Sequence, residues 1–102
     1  ADERVREWVA RYYNEGRVVA AICGAPTVLA LSGVARGSKI TCHSSVREQM
    51  SDYDVVGGNV VEADNLITGA GAGVSVEFAL AVAARLVDAE TLARVKKGME
   101  VA

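Results

Sequence analysis

An α/β fold with a buried, mainly parallel sheet is what this 102-residue sequence predicts, and three observations carry the prediction. Hydrophobic residues make up 51% of the chain but aromatic ones only 5%, so the interior is built from Ala, Val and Leu, side chains that let helices lie close on a sheet. The run Val18-Val19-Ala20-Ala21-Ile22 is continuously apolar between Gly16 and Gly24-Ala25-Pro26. It is too short for a helix and lacks alternation, so it reads as a strand covered on both faces and paired on both edges. Helical patterns precede and follow it, giving the order helix, strand, helix.

The elements follow in turn. Asp2 is an N-cap, and Val5, Trp8, Val9 and Tyr12 recur at helical spacing until Asn14-Glu15-Gly16 ends the run. Pro26 suits a first helical turn, where its missing N–H costs nothing, and Thr27 to Leu31 continue to a stop at Ser32-Gly33. Lys39 to Cys42 reads as a short strand that delivers His43, after which Ser44 or Ser45 caps a short polar helix through Met50. Tyr53 to Val56, Asn59 to Val61 and Leu66 to Thr68 are short strands, the last two joined as a hairpin through Ala63-Asp64-Asn65. Beyond Gly69-Ala70-Gly71-Ala72-Gly73, an Ala/Val/Leu helix runs from Ser75 to Leu86, and Asp88 caps a last helix that ends at Gly98. No repeat or linker interrupts the chain, whose length allows at most one domain.

Eleven basic and thirteen acidic residues give a net charge of -2 without clustering, which argues against nucleic acid and membrane partners. Two cysteines, no signal-peptide pattern and no apolar run near the length of a membrane span predict free thiols and a cytoplasmic setting.

Cys23 is placed for chemistry. A thiol becomes a nucleophile when its thiolate is stabilised, and a helix N-terminus offers free N–H groups for that purpose. A nucleophile on a sharp strand-to-helix turn also needs small neighbours, here Ala21 and Ala25, and the N–H of Gly24 is an oxyanion donor beside the sulfur. A small, buried, apolar cysteine accounts for the same residue equally well. His43, the single histidine, also follows a strand and would project from the same sheet edge as a proton shuttle, although a loop histidine at a helix start fits the pattern too. Cys42 points the opposite way along its strand and reads as structural. These three residues are too few for a metal site. The Gly69–Gly73 run is not a dinucleotide fingerprint, because Val74 stands where the last glycine is required and no second strand follows. A closely packed turn explains it better.

Taken together, Ala20-Ala21-Ile22-Cys23-Gly24-Ala25-Pro26-Thr27, the segment from Thr41-Cys42-His43-Ser44-Ser45 to Met50, and the stretch from Gly69 through Glu77-Phe78-Ala79 to Leu86 resemble the ThiJ/PfpI superfamily, specifically its Parkinson-associated deglycase, or glyoxalase III-like, branch. The resemblance implies a flavodoxin-like sandwich with Cys23 as the oxidation-sensitive nucleophile and His43 as its histidine. It also implies that residues 1–102 are the C-terminal half of one domain, with the N-terminal half absent from this chain. In the family that half supplies an acid beside the cysteine and a glycine pair that completes the oxyanion site. Glu62, Asp64 and Glu77 do not fall on that acid's position.

The implied activity is a cofactor-independent glyoxalase or protein deglycase acting on small dicarbonyls or their adducts, with no metal, in a homodimer completed by the missing half. The alternative is a redox-sensing or chaperone-like stress protein that works by oxidation of Cys23. Gly24 stands where protease-like members carry histidine, which disfavours a PfpI-type protease.

Overall fold

The structure is a computed structural model that describes residues 2–101. Helix α1 spans Glu3–Asn14, and the Asp2 carboxylate accepts the Arg4 N–H at its start. Strand β1 (Val19–Ile22) leads to helix α2 (Thr27–Ser32), which Gly33 closes in the left-handed conformation that glycine adopts without strain. Strands β2 (Lys39–Ile40) and β3 (Asp54–Val55) flank a 3-10 segment, Ser44–Met50. Strands β4 (Val60–Ala63) and β5 (Leu66–Gly69) form a hairpin, which is followed by helices α3 (Ser75–Leu86) and α4 (Ala89–Gly98). Asp88 caps α4 by accepting the Thr91 N–H.

Two of the three ladders are parallel. β5 lies between β1, which it pairs in parallel from Val19↔Leu66 to Ile22↔Gly69, and antiparallel β4. β2 and β3 form a separate parallel pair. Because successive strand residues face opposite ways, this register puts Val19 and Leu66 on one face and Ile22 and Gly69 on the other. The first face carries the main core, where Val19, Leu29, Val34, Ile40, Cys42, Met50, Tyr53 and Leu66 pack together with Val9, Ala10 and Tyr13 of α1 against them. The second face meets α3, whose Phe78 lies against Gly69.

Hydroxyl groups fasten the core at points that strand patterns do not reveal. Thr68 and Thr41 are fully or almost fully buried. The Thr41 N–H donates to Thr68 Oγ1 at 2.9 Å, and Thr41 Oγ1 donates to the Gly58 carbonyl at 2.8 Å. Satisfying both hydroxyls removes the penalty of burying them and ties the segment after β2 to β5. Asn65 Nδ2 likewise donates to the carbonyls of Tyr13 and Arg17, joining the hairpin turn to the link between α1 and β1.

Within this chain β1 is covered on one face only, since Ala20 is exposed, and β5 is its only strand partner among the described residues, so the strand pattern asks for more cover than the chain supplies. α3 lies over β4 and β5 and leaves the Ala20 position open. The predicted strand over Lys39–Cys42 ends at Ile40, because the Thr41 N–H turns aside to the Thr68 hydroxyl. α1 is amphipathic as expected, yet none of its residues is fully buried: Trp8 remains 61% exposed, and Val5 and Tyr12 are exposed beside it. Among the described residues no helix is long and apolar enough to cross a membrane.

Candidate active site

Cys23 stands at the C-terminal end of β1, and its backbone defines the site. Its N–H donates to the Gly69 carbonyl at 2.9 Å, continuing the parallel ladder one residue past the strand. Its φ is then +63°, in the left-handed region that side-chain-bearing residues rarely adopt. Such a conformation costs on the order of 1–3 kcal/mol and persists only where surrounding contacts over-determine it, a pattern that clusters at functional sites. Here the contact is visible, because the reversed chain aims the Cys23 carbonyl at the N–H of His43, which donates to it at 2.8 Å. The structure therefore brings together the two residues singled out in the sequence, through their main chains.

Gly24 follows in the elbow. Its N–H has no hydrogen-bond acceptor among the described residues, whereas the carbonyl of Gly24 accepts from both the Thr27 N–H and the Thr27 hydroxyl. An unengaged amide next to a thiol is what stabilisation of an oxyanion requires. Successive turns occupy residues 23–26, so α2 begins later than the sequence suggests, at Thr27, and is six residues long. A helix that short adds little dipole at Cys23. The local amide and the elbow geometry carry the argument instead.

His43 is exposed and caps the 3-10 segment, a role assigned to Ser44 or Ser45 from sequence. Its Nδ1 accepts the Ser45 N–H at 3.0 Å and lies 2.8 Å from the Ser45 hydroxyl. Serine is the commoner N-cap residue, and nothing in the order of types marks the imidazole as the cap. A Cβ built on Gly71 would sit 3.7 Å from His43 Cδ2, so the loop after β5 borders the ring. From sequence that loop reads only as a packed turn. Its part in the rim is added by the structure.

Cys42 is buried in the core, and burial pushes its thiol up while Arg47 partly opposes the shift. Cys23 is only half-buried. Brief treatment with iodoacetamide is therefore expected to label Cys23 well before Cys42, because alkylation needs both access and thiolate. Mass spectrometry of the peptides checks it, and equal labelling or preference for Cys42 would contradict the assignment.

Among the described residues no three His, Cys, Asp or Glu side chains gather as metal ligands. No carboxylate there hydrogen-bonds to Cys23 or His43, and Glu77 lies exposed at the start of α3. Among the described residues the rim thus holds a thiol, an unengaged amide and an imidazole, with no carboxylate hydrogen-bonded to any of them. A separate groove of about 530 Å³ runs along α1 and β1, lined by Trp8, Val9, Tyr12, Val18 and Val19 with Arg11 at its edge. It lies away from the thiol.

Comparisons with known proteins bear on this site. A family model described as the DJ-1/PfpI family matches residues 1–85. The chain is 45% identical to Drosophila melanogaster protein dj-1beta over 89 residues, 85% of this chain and 48% of that protein. It is 35% identical to the Caenorhabditis elegans glutathione-independent glyoxalase DJR-1.2 over 80 residues, 76% of this chain and 42% of that protein. It superposes on the crystal structure of Drosophila melanogaster DJ-1beta with a TM-score of 0.92 and 40% identity, covering 99% of this chain and 55% of that one. The chain spans about half the length of the curated relatives it matches.

Proposed function

This chain belongs to the DJ-1/PfpI family, and from that premise we propose that it carries the nucleophilic half of a cofactor-independent glyoxalase site. The observation that carries the reading is the Cys23 elbow: a half-buried thiol held at φ +63° beside an amide with no acceptor. A relative named as a glyoxalase supports the choice of a small dicarbonyl as substrate.

The chemistry is redox-neutral overall. The Cys23 thiolate adds to the aldehyde carbon of methylglyoxal, and the resulting oxyanion is met by the Gly24 N–H. The hydrogen on that carbon leaves as a proton and returns at the neighbouring carbon, through an enediol, which gives a lactoyl thioester. Water then cleaves the thioester, releasing lactate and restoring the thiol. Moving that proton requires a base, and the rim described here supplies no carboxylate. The reading therefore includes a second polypeptide segment, corresponding to the other half of the relatives, that brings an acid to the rim and covers exposed apolar surface such as the Trp8 and Tyr12 groove.

Lactate formation from methylglyoxal, measured with the chain alone and with the complementary half added, tests both parts. Turnover that appears or rises sharply on addition supports the reading. Full turnover by the chain alone removes the need for a complement, and none in either case removes the glyoxalase assignment.

A further inference from the structure

A backbone amide can only donate a hydrogen bond, and this fixes the state of His43. Because the Ser45 N–H donates to Nδ1 at 3.0 Å, Nδ1 must present its lone pair and cannot carry a proton while the bond exists. The Ser45 hydroxyl lies 2.8 Å from the same nitrogen. In a neutral imidazole the remaining proton then sits on Nε2. The opposite tautomer would set an N–H against an N–H and leave an amide of the 3-10 segment unpaired.

We infer that Ser45 fixes His43 as the Nε2–H tautomer, so that the single histidine of this chain serves the thiol site as a neutral hydrogen-bond donor and not as a proton-accepting base. This departs from the proton shuttle expected from sequence, because the lone pair that would accept a proton is turned to Ser45. The ring edge at Cδ2, the carbon bonded to Nε2, lies beside Gly71. The inference rests on the glyoxalase reading for its chemical meaning. With a 2-oxoaldehyde bound to Cys23, a donor on the rim polarises the ketone oxygen and steadies the negative charge it gains in the enediolate, without itself transferring a proton. Ser45 is then a positioning residue that acts through His43.

A single histidine makes the tautomer directly readable. Two-bond 1H–15N correlation spectra of labelled protein at neutral pH are expected to show a protonated Nε2 and a lone-pair Nδ1, with a coupling across the hydrogen bond to the Ser45 amide. A protonated Nδ1, or an averaged pair of tautomers, overturns the inference. Activity supplies an independent arm. His43→Gln places an N–H near the Nε2 position but cannot carry a proton, His43→Asn keeps the cap but not the Nε2 donor, and His43→Ala loses both. Losing one preorganised donor of this kind costs about a hundredfold in kcat, so Ala and Asn are expected to fall by that order and Gln to return to within about tenfold of the wild type. Unfolding midpoints should follow a different order, with Asn nearest the wild type because it still caps. Gln as inactive as Ala overturns the donor role while leaving the glyoxalase reading intact. If the wild type forms no lactate, the glyoxalase reading falls and the spectrum alone decides the Ser45–His43 assignment.

Discussion

Replacement of Cys23 by alanine is expected to abolish lactate formation from methylglyoxal by the completed protein, lowering kcat by about a thousandfold or more, the scale on which covalent enzymes lose activity when the nucleophile is removed. Without sulfur there is no thiohemiacetal, and the Gly24 amide and the His43 ring have no oxyanion to stabilise. The substitution should leave folding nearly unchanged, because alanine keeps a Cβ at φ +63° and both backbone bonds of residue 23, from its N–H to Gly69 and to its carbonyl from His43, remain available. Thermal unfolding and the lactate assay on the same preparation separate loss of chemistry from loss of structure. Turnover retained in Cys23→Ala would remove the thiol from the mechanism.

The second large effect is on stability. A methyl group at Gly69 would lie 2.8 Å from Phe78 Cδ1 and 3.0 Å from Ile22 Cγ1, distances too short for carbon atoms in contact. Gly69 is buried, and the Phe78 and Ile22 side chains pack against it, so relief requires those side chains, or the helix that carries Phe78, to shift. Gly69→Ala is therefore expected to cost about 1–3 kcal/mol, as overpacking of a filled core does. The Gly69 carbonyl also accepts the Cys23 N–H, so the same change should disturb the elbow. Urea unfolding gives the first quantity and the rate of Cys23 alkylation the second. Neutral behaviour in both would mean that α3 sits on the sheet more loosely than this packing requires. Gly71→Ala makes a useful contrast, since a methyl there meets only ordinary contact with the His43 ring.

Where order in the sequence translates directly into order in space, the fold was legible. Asp2 and Asp88 cap the helices that their positions predicted, α3 spans the Ala/Val/Leu run from Ser75 to Leu86, and Asp64-Asn65 turns the hairpin. These features depend on neighbours a few residues apart. The elbow at Cys23 was legible for a similar reason, since small residues crowd either side of it. What escaped depends on distant partners: the Thr41–Thr68 bond spans 27 positions, and the bond from His43 to the Cys23 carbonyl spans twenty.

The bond between the Cys23 carbonyl and the His43 amide is made entirely by main-chain atoms, and this bears on how such a rim can change over time. A latch of that kind uses neither side chain. Side chains at 23 and 43 can be exchanged while the two loops keep their places, so long as the φ of +63° is tolerated and the new side chain at 43 still accepts the Ser45 N–H. The rim behaves as a socket with interchangeable fittings. New reactivity can be tried there one substitution at a time, by mutation in nature or by choice in the laboratory, without first rebuilding the frame that holds it.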